Sequence, residues 1–391
     1  IEYTGTFGSE EYFTTSSDGN PGIFGISQFS AQKSIEIPAT PHNNLAWGDY
    51  DNDGFLDYIL PGRPSKIYHN NGNNTFSNLT ADLPDFNDGS AKWGDYDNDR
   101  DLDILITGGS TAYPTANPVS KIYRNDGDNI FTEQTQIILA PVQFSSVAWG
   151  DYDNDDDLDI LLSGATGNDP DFNPVSKVYK NNGDGTFSEQ SQIILTGIYK
   201  GAVSWIDYDN DGDLDIFLAG LFNNILNAET WIYRNNGDDT FIFQSDLKFW
   251  TGSQVTADWG DFNNDSYKDL VLATFGNFSI YQNKGGVSFE LFKTVHYNAA
   301  NHAGCAIWGD YNNDGYTDLI TSNTTLSTHL YKNINGKEFI DQKVESIVNS
   351  GYSHASWGDY DNDGDLDFIA ATGDLNGTLF RNNLIMKSGS F

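Results

Sequence analysis

The chain has 391 residues, and its 56 acidic against 20 basic side chains give a formal net charge of −36 at pH 7. That charge argues against nucleic acid or an anionic membrane as a partner, because both repel an acidic surface. It also carries 25 Phe, 21 Tyr and 9 Trp, more aromatic residues than disordered acidic segments hold, so we expect a folded chain. No apolar run reaches the roughly 18 residues that insertion into a membrane requires.

One motif, Trp-Gly-Asp-Tyr-Asp-Asn-Asp in its commonest form, recurs seven times along the chain at intervals of 46 to 56 residues. Each copy is followed by short apolar segments separated by turn dipeptides, a pattern typical of four strands per repeat. A period near 50 with several strands per unit predicts an all-β fold, a seven-bladed β-propeller of four-stranded blades. The motif tryptophans, which we interpret as packing between blades, are Trp47, Trp93, Trp149, Trp205, Trp259, Trp308 and Trp357.

The two ends of the chain complement each other. The seventh copy stops near Asn383 without the Gly-x-x-Phe turn and the fourth strand, whereas the segment beginning at Phe29 aligns with the fourth strand of other copies. We therefore expect the N-terminal strand to complete the last blade and close the ring. The predicted domain organisation is an N-terminal extension over 1–28 and a single propeller over 29–391.

Nine-residue aspartate loops follow the seven tryptophans. Side-chain oxygens at positions 1, 3, 5 and 9, with the main-chain carbonyl of position 7, can wrap a hard cation. The candidate metal ligands at positions 1, 3, 5, 7 and 9 are Asp49, Asp51, Asp53, Phe55 and Asp57; Asp95, Asp97, Asp99, Asp101 and Asp103; Asp151, Asp153, Asp155, Asp157 and Asp159; Asp207, Asp209, Asp211, Asp213 and Asp215; Asp261, Asn263, Asp265, Tyr267 and Asp269; Asp310, Asn312, Asp314, Tyr316 and Asp318; Asp359, Asp361, Asp363, Asp365 and Asp367.

The loops differ in two respects that bear on metal affinity. Asn263 and Asn312 replace the position-3 carboxylate, so we expect weaker sites in the fifth and sixth loops. Arg100, Asp156 and Ser266 stand where glycine would permit a left-handed turn at position 6, so we expect that turn to be harder to form there. Carboxylate and carbonyl donors favour Ca²⁺ over Mg²⁺, and the loops lack the His or Cys that Zn²⁺ prefers. Up to seven Ca²⁺ ions, one per blade, are expected.

The repeat unit resembles a known family at this level of detail. The run WGDYDNDGDLD, followed by a third strand ending in a YxNNGDGTF-like segment, resembles the FG-GAP/VCBS repeat over about residues 29–383. That family builds the seven-bladed propeller of integrin α-subunit heads and related propellers in fungal lectins and bacterial surface proteins. The resemblance implies that the calcium loops join the first and second strands of each blade. The combined Phe-Gly…Gly-Ala-Pro run of integrins is absent, so the bacterial type is the closer match.

Ligand binding is predicted on the opposite face, where the connections between second and third strands are long in blades two, three and four. Long loops on a rigid scaffold are where binding residues usually lie. Their aromatic, amide and carboxylate groups suit sugars or peptides. The candidate ligand-binding residues are Tyr113, Asn117, Asp169, Asp171, Phe172, Asn173 and Phe222.

Several functions remain compatible with this pattern. The leading hypothesis is a secreted or cell-surface propeller, stabilised by calcium, that binds a glycan or an extracellular protein in adhesion. The alternatives are a stand-alone lectin with repeated sugar pockets, a carbohydrate-active enzyme, or a passive spacer in a larger surface protein. Catalysis is not expected, because the sequence has no Gly-x-Ser-x-Gly motif, no metal-binding His pair and no phosphate loop, and His42, His302 and His354 belong to separate repeats.

Overall fold

A computed structural model describes residues 29–32, 34–35, 37–38, 45–109, 117–168, 171–222, 228–249, 255–274, 276–296, 304–322, 328–342, 353–372 and 377–384. The expected N-terminal extension over 1–28 lies outside these residues. All regular structure in the described part is β-strand. Within these ranges no helix is long and apolar enough to cross a membrane.

Twenty-eight strands form seven four-stranded antiparallel sheets, each ordered by chain position from the first strand to the fourth except in the last blade. This confirms the predicted all-β, seven-bladed propeller. The strands are β1 (Phe29–Ala31); blade one, β2 (Ala46–Gly48), β3 (Asp57–Leu60), β4 (Lys66–Asn70) and β5 (Phe76–Leu79); blade two, β6 (Asn87–Gly94), β7 (Asp103–Gly109), β8 (Pro118–Asn125) and β9 (Phe131–Glu133); blade three, β10 (Gln143–Gly150), β11 (Asp159–Ala165), β12 (Pro174–Asn181) and β13 (Phe187–Glu189).

The remaining blades repeat the arrangement. Their strands are, in blade four, β14 (Tyr199–Ile206), β15 (Asp215–Leu221), β16 (Ala228–Asn235) and β17 (Phe241–Phe243); in blade five, β18 (Thr256–Gly260), β19 (Asp269–Thr274), β20 (Asn277–Asn283) and β21 (Phe289–His296); in blade six, β22 (Ala306–Gly309), β23 (Asp318–Ser322), β24 (Thr328–Asn333) and β25 (Phe339–Asp341); in blade seven, β26 (Ser353–Gly358), β27 (Asp367–Thr372) and β28 (Thr378–Asn382).

The last blade is completed by the N-terminal strand, as predicted. β1 pairs antiparallel with β28, and Phe29 lies opposite Asn382 while Ala31 lies opposite Phe380. Phe29 is buried against Tyr311 of blade six and Phe368 of blade seven. Joining the two ends of the chain in one sheet closes the ring without a free sheet edge between the first and last blades.

The hydrophobic core lies between neighbouring blades. Second strands are buried along their whole length, as in β11, because another blade covers each face of the sheet. Fourth strands form the outer rim and are partly exposed; most are three or four residues long, whereas β21 has eight. One core cluster, for example, joins Tyr96 and Leu105 of blade two to Val147 and Ile160 of blade three. Each blade therefore depends on its neighbours for burial.

The motif tryptophans pack between blades, and in six of the seven copies a glycine follows the tryptophan and makes room for the next one. A Cβ atom on Gly94 would lie 2.6 Å from Cδ1 of Trp149, and the same crowding occurs at Gly48, Gly150, Gly260, Gly309 and Gly358. Blade four carries Ile206 at this position. The next tryptophan, Trp259, instead lies edge-on to Phe217 and donates its Nε1–H to Ser204 Oγ at 2.9 Å. Glycine at this position thus permits close approach of blades.

Candidate functional site: the aspartate loops and the opposite face

The aspartate loops connect the first and second strands of each blade, as the resemblance implies. In loop one, Asp49 at position 1 accepts the N–H groups of Asp53 and Gly54 at 3.0 Å each. The carboxylate of Asp53 at position 5 accepts the N–H of Phe55 at position 7 at 2.9 Å. In the other six loops, the position-1 carboxylate likewise accepts the N–H of position 6, and the position-5 carboxylate accepts the N–H of position 7. These carboxylates are therefore held in a common turn geometry.

Position 6 is left-handed in every loop, including the three without glycine. Arg100, Asp156 and Ser266 have φ values of 78°, 68° and 74°. All three loops form the turn, because the position-1 carboxylate accepts the N–H of position 6 there too; that the turn is harder to form without glycine stays a prediction. In loop two, for example, Asp95 Oδ2 accepts the N–H of Arg100 at 2.9 Å. A strained backbone persists when its surroundings over-determine it.

The position-9 carboxylates are fully buried. Asp159, for example, accepts the N–H of Tyr152 at 3.0 Å and that of Asn181 at 2.8 Å. Desolvation is the main cause that raises the pKa of these groups, and the two N–H donors offset only part of it. The pKa is raised to about 7 in Asp57, Asp159, Asp269 and Asp318, and to about 8 in Asp103, Asp215 and Asp367.

Position 3 brings a second carboxylate against the buried one. Oδ1 of Asp97, Asp153 and Asp209 is buried and has no hydrogen-bond partner. Carboxylate oxygens of positions 1, 3 and 9 lie within 4.8 Å of one another in loops one, three and four, and those of positions 1, 3 and 5 do so in loop two. Buried carboxylate oxygens without donors are costly unless a cation neutralises them. These groups can hold a metal ion and fit the hard-cation cage expected from the sequence.

Basic side chains from the third strands reach some of these loops. Lys180 contacts Asp153 and lies 3.1 Å from Asp155 Oδ2, and Arg381 Nε lies 2.6 Å from Asp361 Oδ2. Each of these ion pairs offsets part of the negative charge of its loop. In loop three the pair engages one oxygen of Asp153 and leaves the other without a partner.

Position 4 carries an asparagine that the sequence interpretation passed over. Each of these seven residues has a left-handed φ between 54° and 61°. Its side-chain amide donates to a carbonyl or carboxylate of the next loop: Asn52 to the Arg100 carbonyl at 3.2 Å, and so on around the ring until Asn362 bonds the Gly54 carbonyl. Self-alignment of the repeats shows this asparagine in all seven copies. It links the seven loops into one ring.

A second asparagine, at the end of each third strand, ties each cage to the preceding blade. Its main-chain N–H bonds the position-9 carboxylate of its own blade, and its amide donates to a main-chain carbonyl of the blade before. In blade three, Asn181 Nδ2 lies 2.7 Å from the Tyr96 carbonyl. The seven residues, each at most 3 % exposed, are Asn70, Asn125, Asn181, Asn235, Asn283, Asn333 and Asn382.

The candidate ligand-binding residues are only partly brought together. Tyr113 and Asp169 lie outside the described residues. Asn117 is exposed beside β8, whereas Phe222 packs edge-on against Trp231 within blade four at 5.3 Å. Asp171, Phe172 and Asn173 share the connection between β11 and β12, which is closed by bonds from the N–H groups of Gly167 and Thr166.

Phe172 belongs to an aromatic patch between blades three and four. Its ring stacks on Tyr199 at 5.0 Å and meets Phe144 edge-on at 5.8 Å, and Lys200 Nζ lies 4.4 Å above the Phe144 ring. Phe144 and Lys200 occupy β-bulges at positive φ, 49° and 51°. Bulges of this kind redirect side chains. Phe144, Tyr199 and Lys200 were not predicted from the sequence, since nothing in the residue types signals a bulge.

The histidines considered for catalysis do not form a described cluster. His42 and His302 lie outside the described residues. The main chain of His354 lies in β26 opposite Ala371. Their possible role therefore stays a prediction.

Solved structures with a similar fold cover nearly the whole chain. One is an Agrocybe aegerita lectin that recognises non-reducing terminal N-acetylglucosamine, with a TM-score of 0.55 and 17% identity over 87% of each chain. Another is BBS1N in complex with ARL6DN, with a TM-score of 0.53 and 14% identity over 90% of this chain and 94% of that one. At such identities the similarity establishes the fold alone. A search of curated proteins found no match.

The repeats themselves match one described family. FG-GAP-like repeats match residues 109–162, 165–218, 207–272, 261–321 and 310–370. Successive matches overlap or adjoin, and together they span most of blades two to seven. The protein belongs to the FG-GAP-like repeat family.

Proposed function

We propose that this protein is a calcium-stabilised, non-catalytic propeller that acts outside the cell, secreted or on its surface, and binds a glycan or a protein ligand in adhesion. The observation that carries the proposal is the division of the ring into two unlike faces. One face holds seven carboxylate cages, and the other holds a strained aromatic patch. Calcium at roughly millimolar levels outside the cell suits modules with weak binding loops.

Calcium explains the loops better than solvation does. Position-9 carboxylates are fully buried, and one oxygen of the position-3 carboxylate, Oδ1, lacks a donor in each of loops two, three and four. Each Ca²⁺ adds two positive charges, so seven ions would change the formal charge from −36 to about −22. Binding to the folded state alone would stabilise the ring. The position-7 side chains Asp101, Asp157, Asp213 and Asp365 accept bonds from the neighbouring loop, which leaves their main-chain carbonyls for the metal.

Asp153→Asn provides a graded test of the cages, since loops five and six already carry asparagine at position 3. We expect calcium affinity at loop three to fall on the order of tenfold, because one charged ligand is lost. The ion-free variant should melt near the wild-type temperature, because the loss of the ion pair with Lys180 is offset by relief of the repulsion from Asp155. Calcium titration calorimetry and thermal unfolding measure both effects.

The matched control is Asp184→Asn in the exposed hairpin of the same blade, where Asp184 Oδ1 accepts the N–H of Thr186. It removes the same charge on the same face without touching a cage. Equal calcium binding by the wild type and both variants would contradict the assignment of Asp153.

The ligand is assigned to the patch of Phe144, Phe172 and Lys200. Aromatic faces pack against sugar rings or apolar peptide side chains, while an ammonium group and neighbouring amides supply hydrogen bonds. The three left-handed residues Phe144, Asn173 and Lys200 add strain, which persists where function or surrounding contacts require it. These features support recognition at this surface.

A single site is favoured over repeated sugar pockets. The first strands of blades two, three and four have a bulge at the same position. That position holds Phe144 in blade three and Lys200 in blade four, but Asp88 in blade two. The patch therefore has no copy in the neighbouring blade. The Agrocybe aegerita lectin shares the fold, and its stated ligand makes glycans ending in N-acetylglucosamine natural first probes.

A glycan array followed by a panel of extracellular proteins tests this proposal. Phe172→Ala should weaken binding by tenfold or more, since it removes the ring between Phe144 and Tyr199. The control is Ile194→Ala, a residue 85% exposed on the outer side of blade three. Binding that survives Phe172→Ala would exclude this patch. Silence on both panels would favour the spacer interpretation, and shortening of a polysaccharide would favour an enzyme.

A further inference from the structure

The residue before the third-strand asparagine distinguishes blade one from the others. It lies beside the aspartate loop of its own blade. Five blades carry Arg or Lys there and blade five carries Gln, whereas blade one carries His69; the others are Arg124, Lys180, Arg234, Gln282, Lys332 and Arg381. A guanidinium or ammonium group has no lone pair to offer a metal ion, but a neutral imidazole has one.

His69 points its Nδ1 atom into the carboxylates of loop one. Nδ1 lies 3.2 Å from Asp51 Oδ2 and 3.3 Å from Asp57 Oδ1. The ring meets the buried Tyr50 edge-on at 6.2 Å. Nδ1 itself is buried and forms no hydrogen bond of good geometry. The nitrogen is therefore directed at two carboxylates rather than at solvent.

The same loop gathers further oxygens around this nitrogen. Ligand atoms of Asp51, Asp53 and His69 lie within 4.8 Å of one another, and so do those of Asp49, Asp51 and Asp57. Two ligands each about 2.0–2.1 Å from a tetrahedral ion are separated by roughly 3.3 Å. The distances from Nδ1 to Asp51 and Asp57 match that separation. Among the described residues, blade one is the blade whose third strand places an imidazole nitrogen beside its own aspartate loop; the other blades have Arg, Lys or Gln at that position.

Mixed imidazole and carboxylate donors select a different class of ion from oxygen donors alone. Imidazole suits Zn²⁺, Co²⁺ and related transition metals, whereas carboxylates and carbonyls suit Ca²⁺ and Mg²⁺. We propose that loop one, through His69 Nδ1, Asp51 and Asp57, binds one divalent transition-metal ion of the Zn²⁺ class. The inference rests on the proposed function only in treating the aspartate loops as cation cages. It replaces calcium in loop one and does not require calcium in the other six.

Cobalt serves as the spectroscopic probe for this site. Full-length protein in saturating calcium is titrated with Co²⁺, and visible absorption reports a nitrogen-ligated site of low coordination number. We expect one equivalent to bind with an intense band that Zn²⁺ abolishes. His69→Gln, which copies blade five, should weaken Co²⁺ binding by roughly 100-fold while leaving calcium-dependent melting in place. His69→Arg, which copies blade seven, should do the same.

His329→Gln is the matched control, because His329 Nδ1 meets one carboxylate, that of Asp341 at 3.0 Å, outside the loops. It should bind Co²⁺ like the wild type. Equal Co²⁺ binding by wild type and His69→Gln overturns the inference and leaves His69 as an ion-pair partner of Asp51 and Asp57. A Co²⁺ band that depends on His69, together with a melting temperature that calcium does not change, would support the inference and contradict the calcium proposal. Calcium-dependent melting without such a band would do the reverse.

Discussion

Protein stripped of divalent ions should lose stability steadily as the pH rises from about 4 to about 8. The position-9 carboxyl groups have a raised pKa, about 7 or 8, because burial disfavours their charged form. In the unfolded chain the same groups titrate near 3.8. Between these values the folded state binds more protons than the unfolded state. The contribution of these carboxyl groups to the free energy of unfolding is therefore fully present below about pH 4. It is lost as the pH rises through the folded-state pKa.

The expected slope is large because seven such groups act together. Each contributes at most about 1.4 kcal/mol per pH unit, and water penetration will reduce that figure. Calcium binds the deprotonated form, so it should remove or reverse the trend. Melting temperatures across this pH range, in chelator and in calcium, measure both slopes. A chelated protein that gains stability with rising pH would contradict the assignment.

Asp159→Asn checks the origin of this slope. It removes one of the seven titrating carboxyls, so the pH slope in chelator should fall by about one seventh. Asp184→Asn, in the exposed hairpin of the same blade, should leave the slope unchanged. An identical slope in the wild type and Asp159→Asn would place the titration elsewhere.

Asn181→Ala should lower the free energy of unfolding by roughly 2–5 kcal/mol. This side chain is 1% exposed and donates to the Tyr96 carbonyl at 2.7 Å and the Leu158 carbonyl at 3.3 Å, while its oxygen accepts the N–H of Gly183 at 3.1 Å. Truncation leaves buried main-chain groups without partners and breaks a link to blade two. Denaturant unfolding measures the loss.

The next residue offers the control for this variant. Asn182 lies in the exposed hairpin and bonds only local groups, Thr186 and Ser188. Asn182→Ala should therefore change stability by about 0.5 kcal/mol or less. Similar losses in the two variants would mean that the contact between blades is unimportant. Asn181→Asp, which keeps the oxygen but loses the donor, should behave like Asn181→Ala.

Periodicity made the fold predictable from the sequence. Seven copies of the motif, six with Trp-Gly-Asp and one with Trp-Ile-Asp, defined the blades at near-constant intervals, and the missing fourth strand after Asn383 identified the strand at Phe29 as its substitute. The glycine after six of the tryptophans was visible in the pattern, but its role was not. Only the packing shows that Gly94 leaves room for Trp149.

The cages were predictable in composition but not in their connections. Alternating aspartates indicated a cation loop, while the asparagines at position 4 and at the ends of the third strands were passed over. Their hydrogen bonds join segments more than 40 residues apart, which local patterns do not reveal. At Arg100 the turn forms without glycine, because the hydrogen bond from its N–H to Asp95 holds the left-handed backbone in place. The bulges at Phe144 and Lys200 depend on strand register and leave no sequence signal.

Thermal unfolding with calcium and with chelator tests the central claim that the aspartate loops are cation cages which stabilise the ring. The account predicts a melting temperature higher in calcium by roughly 10 °C or more, since several linked sites bind only the folded state. Because the position-4 asparagines link the seven loops without any metal ion, we expect the protein in chelator to unfold in one transition. Equal melting temperatures in calcium and in chelator would contradict the account.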